Sequence, residues 1–332
     1  MADVTVFGDI NVDVLMPVAC YPESGEDAMA SSLTIRQGGS GANTAIVLSK
    51  LGLPVQMVGR TGDDHWGEIA RQSLQKFGVD TRAVSRDPEL STGLIFIPVA
   101  ESGERTLFSY RGANASIAVD HIQSALIEPG HFLHLSGYAF LRSPQREAAW
   151  RLVELARQAG ARISLDSGIA PAVQAQPELV KLLPQLNLLV LGTPEAKSLT
   201  GAITQDEAIQ ALLELGVDLV GLKLGSRGCL IANSDHSIIL PSFPVQAVDT
   251  TGAGDAFSAS LIYSQLKSFN LPCAGIFANA LGGLATTVIG GGGAFPDISA
   301  VIHFLGQNAA SYPYSGSQAL FNDILSALRG AE

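Results

Sequence analysis

A glycine-rich loop that opens a helix and is followed at once by an aspartate can move a proton beside an anion. Residues 249–255 have this form: Asp249-Thr250-Thr251-Gly252-Ala253-Gly254-Asp255. An extended piece, 244–248, leads into it, and the small and apolar run 256–261 continues it as a helix. Gly252, Ala253 and Gly254 let a ligand approach backbone whose N–H groups have no helical partner, which makes an anion site. A carboxylate in that first turn opposes a phosphate unless it has a chemical task. Accepting the proton of an attacking hydroxyl is such a task. Taken alone, Asp255 fits equally an acid placed at the positive end of a helix dipole.

A second loop of this kind lies in the N-terminal third, Gln37-Gly38-Gly39-Ser40-Gly41-Ala42-Asn43-Thr44-Ala45, with an amide in the first turn of its helix. Before it, Gly8-Asp9-Ile10-Asn11-Val12-Asp13 ends the first strand with polar groups at alternate positions. If the segment stays extended, Asp9, Asn11 and Asp13 face one way. Carboxylates and amides converging beyond a strand's C-terminal end suit a polyhydroxylated ligand. Singly, Asn43 reads equally as a cap and Asp13 as a turn residue.

Together the two motifs resemble those of the PfkB (ribokinase-like) carbohydrate kinase family. Gly38-Gly39-x-Gly41-x-Asn43 is similar to its N-terminal signature and Asp249-Thr250-x-Gly252-Ala253-Gly254-Asp255 to its C-terminal one. Gly62-Asp63-Asp64-x-x-Gly67 and Leu224-Gly225-Ser226-Arg227-Gly228 follow the family's order, so the resemblance spans the chain. It implies ATP-dependent transfer of the γ-phosphoryl group to a sugar hydroxyl, with Asp255 as general base and Gly252, Ala253 and Gly254 as the anion hole. It also implies that Asp13, Gly39 and Asn43, assisted by Asn11, hold the substrate, and that Lys223, Gly225, Gly228 and Asn279 receive the nucleotide. The family's Asn-x-x-Glu motif for Mg²⁺ falls on Gly192-Thr193-Pro194-Glu195. Glu195 is then expected to act on the ion through water, while Gly192 departs from the pattern and bears on metal or phosphate affinity. Asp249 and the 286–293 loop resemble the family's K⁺ site.

These residues need a scaffold, and the rest of the chain supplies its pattern. Short apolar runs at 4–8, 55–58, 132–135, 162–165, 188–191 and 219–224 alternate with helical patterns at 42–51, 66–77, 145–159 and 207–215. This grammar predicts an α/β fold, a three-layer α/β/α mostly parallel sheet of the ribokinase-like kind. One kinase domain over 1–332 is expected, with a small antiparallel β-lid from inserted segments at about 14–37 and 91–112. Within the lid, 27–37 reads as a strand, and 92–98 with 105–110 as a hairpin joined by Ala100-Glu101-Ser102-Gly103-Glu104. The lid is expected to shed water on closing and to pair two subunits as a homodimer.

Composition sets the outer bounds. With 332 residues, 47% hydrophobic and 15% charged, the chain can bury a large core. A formal charge of −11 argues against nucleic acid. The uncharged stretch 268–296 is long enough for a bilayer but contains Pro272, Asn279 and a four-glycine run, so it predicts a buried helix and a tight loop. No membrane association is expected. Three dispersed cysteines, and no basic stretch or cleavage site ahead of residues 4–7, lead to the expectation of no signal peptide and a reducing, cytoplasmic setting. The Gly-x-Gly-x-x-Gly of a dehydrogenase, the Gly-Lys of a Walker NTPase and the His-Glu-x-x-His of a metallohydrolase are all missing, and His131 and His134 read as structural. The rival from another class is a non-catalytic sugar sensor.

Ribose- or fructose-type sugars rank first as substrate, nucleosides second, and acids of the 2-keto-3-deoxygluconate type third. Arg111, beside Tyr110, is the side chain expected to reach the ligand, and its fork would suit a carboxylate. Against the acid stands 165–170, which lacks the arginine that acid- and fructose-specific branches carry. Arg111-Gly112-Ala113-Asn114-Ala115 resembles the ribokinase branch instead.

Overall fold

The computed structural model describes residues 2–102 and 104–330. Its strands are β1 (Val4–Phe7), β2 (Asn11–Val18), β3 (Thr34–Gly38), β4 (Val55–Gly62), β5 (Val84–Asp87), β6 (Gly93–Ala100), β7 (Phe108–Tyr110), β8 (Phe132–Ser136), β9 (Arg162–Asp166), β10 (Leu188–Gly192), β11 (Leu219–Lys223), β12 (Cys229–Asn233) and β13 (Ser237–Leu240). The helices are α1 (Ser40–Lys50), α2 (His65–Lys76), α3 (Gln145–Ala159), α4 (Ile169–Gln174), α5 (Gln176–Leu182), α6 (Thr193–Thr200), α7 (Gln205–Glu214), α8 (Ala253–Leu266), α9 (Leu271–Ala285), α10 (Ile298–Asn308) and α11 (Ser317–Arg329).

Nine strands form one sheet in the order β13-β12-β11-β10-β9-β8-β1-β4-β5. Pairing is parallel from β11 through β5 and antiparallel only for β11–β12 and β12–β13. Its strands are apolar at successive positions because both faces are covered. Leu188 and Val190 pack in one core with α1, α8 and α9, whereas Leu189 and Leu191 pack in the other with α3, α5 and α7. That alternation along single strands makes the three layers. The uncharged 268–296 stretch becomes α9, buried from Cys273 to Leu281, and the glycine loop after it. No helix among the described residues is long and apolar enough to cross a membrane.

A second sheet, β3-β2-β6-β7, is built from the two segments expected to make the lid. Its outer pairs are antiparallel, and its central pair, β2–β6, is parallel from Asn11↔Gly93 to Val18↔Ala100. The strand read over 27–37 is confined to Thr34–Gly38, with one isolated bridge from Ala30 to Val18. Gly103, read as part of the hairpin connection, lies outside the described residues.

Candidate active site

Two helix N-termini meet at the C-terminal end of the large sheet, and each is preceded by glycine for a definite reason. Gly39 takes φ 92° before α1, and Gly252 takes φ 76° before α8, a region that other residues enter only with strain. At Gly38 a side chain would start 1.9 Å from Asp13 Oδ1, so the glycine makes room for that carboxylate to lie on the backbone. From α1, Ser40 Oγ donates to Asp255 Oδ1 and Asn43 Nδ2 to Asp255 Oδ2, each at 2.8 Å. The two glycine loops therefore meet at one carboxylate.

Burial raises the Asp255 pKa to about 7, aided by the Asp166 carboxylate and opposed by Asn43, Ser40 and the Lys223 ammonium. Burial likewise raises Asp13 to about 7, with the charge of Asp249 adding to the shift. A base must be deprotonated to act, so kcat/KM should fall as pH drops below about 7. A pH–rate profile checks this. An acid limb near the ordinary carboxylate value of 3.8 would show that Asp255 is not the titrating base.

Two cavities open beside the loop that leads to Asp255. One, of about 510 Å³, is lined by Lys223, Gly225, Gly228 and Asn279 together with Ala253 and Gly254 of the loop. The other, of about 350 Å³, lies under the lid and is lined by Asp13, Arg36, Arg105, Asp249, Gly290 and Gly291. Thr250 lines both, so the cavities adjoin at the loop leading to Asp255. A mostly apolar cleft next to a smaller chamber that carries two arginines and two carboxylates, with Asp255 next in the chain to the Gly254 that lines the cleft, can bring a nucleotide and a polyol together.

Residues 1–298 match the family described as pfkB family carbohydrate kinase. The chain belongs to the pfkB family of carbohydrate kinases. Its reaction is phosphoryl transfer to a sugar hydroxyl. The chain is 31% identical to fructokinase-1 of Zea mays over 91% of its own length and 97% of that protein. A ribokinase structure from Thermotoga maritima superposes with TM-score 0.81 at 28% identity, covering 92% of this chain and all of that one. A double-mutant fructokinase from Vibrio cholerae O395, in its fructose-, ADP- and potassium-bound form, gives TM-score 0.78 at 25% identity. It covers 92% of this chain and 98% of that one.

Against the pfkB pattern, three expected side chains are engaged elsewhere. Arg111, expected to reach substrate, is taken by a buried partner: Nε and Nη2 donate to Asp9 at 2.9 and 2.6 Å, and Nη2 also to Gln145 Oε1 at 2.6 Å. It lines neither cavity. Asn11 is likewise occupied, accepting from Asn114 Nδ2 at 2.8 Å. Arg111→Met should cost about 3 kcal/mol by leaving Asp9 buried and unpaired. Denaturant unfolding would read this loss, while the sugar KM of the folded fraction stays near the parent value.

Asp249 is the third. Its Oδ1 accepts from Thr251 N at 2.9 Å, Thr251 Oγ1 at 2.7 Å and Arg105 Nη1 at 2.6 Å, and its Oδ2 from Gly290 N at 2.8 Å. Both oxygens are occupied and a guanidinium stands beside them, so this arrangement does not fit the K⁺ expected here. The contact instead ties the lid to the C-terminal loop, because Arg105 bridges to Val99 at the lid's edge.

Glu195 lies in the first turn of α6 and is partly exposed. A side chain at Gly192 would begin 2.5 Å from its Oε2, so the glycine's vacant space holds this carboxylate. No cluster of three His, Cys, Asp or Glu among the described residues could encage a metal. A single carboxylate fits Mg²⁺, which keeps several waters and takes other ligands from phosphate.

Ser40, Arg36, Arg105, Asp166 and Ser258 were not among the expected site residues, although Ser40 lies within the glycine loop at 37–45. Asp166 carried a signal, being a polar residue at the C-terminal end of an apolar strand, where α/β sheets place ligands.

Proposed function

We propose that the chain is an ATP- and Mg²⁺-dependent kinase of a ribose- or fructose-type sugar. The carrying observation is Asp255, held by Ser40 and Asn43 in the turn of α8 whose Ala253 and Gly254 line the larger cavity. In this reading the sugar occupies the lid chamber, with Asp13 and Asn43 on its hydroxyls and Gly39 shaping the wall. Asp255 takes the proton of the attacking hydroxyl as its oxygen bonds to the γ-phosphorus and the bond to ADP breaks. The Gly252, Ala253 and Gly254 backbone faces the charge on the transferring group. The adenosine and its phosphates fill the larger cavity along Asn279, Gly228, Gly225 and Lys223. Mg²⁺, when bound, neutralises phosphate charge, with Glu195 acting on it through water. The names of the maize and Thermotoga maritima relatives support both sugar types.

A sugar acid is a second reading, on other residues than expected. Arg36 and Arg105 both line the lid chamber, and Arg36 has no carboxylate partner among the described residues. A coupled ADP-release screen over pentoses, ketohexoses, nucleosides and sugar acids tests all of these. Fastest turnover is expected with ribose or fructose. Release with none of them at millimolar concentration would return the chain to the sensor reading.

The lid also supports a homodimer. Ile35, Phe96, Phe108 and Tyr110 lie on exposed parts of its sheet, and the β2 register puts them on the side away from Asp13 and Arg36. Light scattering at micromolar concentration should give twice the chain mass, and the chain mass alone would refute the pairing. Free cysteines at 20, 229 and 273 suit a reducing, cytoplasmic setting.

A further inference from the structure

Asp166 ends β9 as a buried carboxylate to which the reaction described so far gives no task. Its two oxygens accept from Lys223 Nζ at 3.1 and 3.2 Å, and Oδ2 also accepts from Ser258 Oγ at 2.6 Å. Lys223 ends β11, and β10 lies between the two strands. Across β10, Val190 pairs with Asp166 and Gly192 with Lys223. Residues two apart on a strand share a face, so all four positions lie on one side of the sheet. Adjacent strands stand about 4.8 Å apart, so the lysine stem must cross the end of β10 to reach its partner.

Two further contacts give the pair a direction. Lys223 Nζ comes within 3.3 Å of the point where a side chain would start on Gly254. Ser258 lies one turn along α8 from Asp255, so the same carboxylate grips the helix that carries the base.

We propose that Asp166 is a positioning residue for phosphoryl transfer, holding the Lys223 ammonium against the anion-hole loop and fixing the turn of α8 that presents Asp255. The inference rests on the kinase reading for the reaction it serves. Charge spreads over the oxygens of the group in flight. An ammonium already in place needs no reorganisation when that charge develops. A lysine without this partner would swing on its flexible stem into the open nucleotide cleft.

The pair also surrounds Asp255 with opposed charges. The groups facing that carboxylate are Ser40 and Asn43 from α1, Asp166 from β9, Lys223 from β11, and the Tyr138 hydroxyl from the segment after β8. Asp166 favours the protonated acid and Lys223 the carboxylate. Removing one partner must therefore move the titration of Asp255 in the opposite sense to removing the other. A brace acting through packing alone would not do this.

The test compares the full-length parent with D166N, K223M and S258A. Carboxyl-carbon NMR reads the Asp255 titration directly, and the pH dependence of kcat/KM reads it through turnover. The Asp255 midpoint should fall in D166N, rise in K223M and stay in S258A, while kcat in D166N drops roughly tenfold to hundredfold. An unchanged midpoint in D166N, or shifts of the same sign in D166N and K223M, would overturn the proposal. So would a kcat loss in D166N that merely follows its folded fraction. If D166N does not fold, the rise in K223M against the constancy of S258A decides the matter. Opposed midpoint shifts in a protein that transfers phosphate to no sugar would support the positioning and refute the kinase reading instead.

Discussion

Asp255→Asn is expected to lower kcat by roughly 10²- to 10⁴-fold, the usual worth of a general base. Asn43 and Ser40 cannot replace it, because both point their donors at this carboxylate. The amide fits the same space: its oxygen accepts from Asn43, and the Ser40 hydroxyl turns to accept from its NH₂. KM for sugar and ATP should therefore stay near the parent values. Stability separates this loss from unfolding. The folded Asp255 pKa is raised from 3.8 to about 7, so between those values the folded state holds more protons than the unfolded one. The parent therefore loses stability as pH rises through that window and does not regain it above. Asparagine does not titrate, so at pH 8 D255N should melt no lower than the parent. Parental kcat in a folded D255N would remove the base from the mechanism.

Gly252→Ala is expected to cost nearly as much by a different route. Its φ of 76° is one an L side chain adopts only with strain of about 1–2 kcal/mol. The new methyl would also start 2.3 Å from Phe295 Cζ and 2.8 Å from Cε1. Either the ring or the loop must move, and a shifted loop aims its amides away from the developing charge. Loss of one such donor typically lowers kcat by roughly 10²- to 10³-fold. Steady-state kinetics should show most of the effect in kcat and in KM for ATP, with little in KM for sugar. Adding Phe295→Ala removes the clash but not the strain, so the double variant should recover part of the loss. Full parental activity in G252A would mean that these amides do not stabilise the transferring group.

The sheet was legible from residue order alone, because strands buried on both faces leave unbroken apolar runs such as 188–191 and 219–222. The ends of α3 fell where the pattern placed them, at Gln145 and Ala159. Asp255 and Asn43 could each be singled out, but their contact could not, since it joins residues 212 positions apart. The centre of the lid was hidden for the same reason. β2 begins only four residues after β1, and its parallel partner β6 lies far downstream. Polar side chains on Asn11 and Asp13 looked like one ligand-facing row, whereas Asn114 takes the first and the cavity the second. Arginines misled most. Arg111 was expected to reach the ligand and is bound to Asp9, while Arg105, expected only to begin a hairpin strand, holds Asp249. An ion pair depends on where two distant segments meet, which periodicity does not encode.

Gly192 bears on the order in which such a site can change over generations. An asparagine restored there would not simply add an amide to the existing arrangement. Its first side-chain atom would fall 2.5 Å from Glu195 Oε2 and turn that carboxylate out. Reversion at this position is therefore conditional on where the Glu195 carboxylate can go.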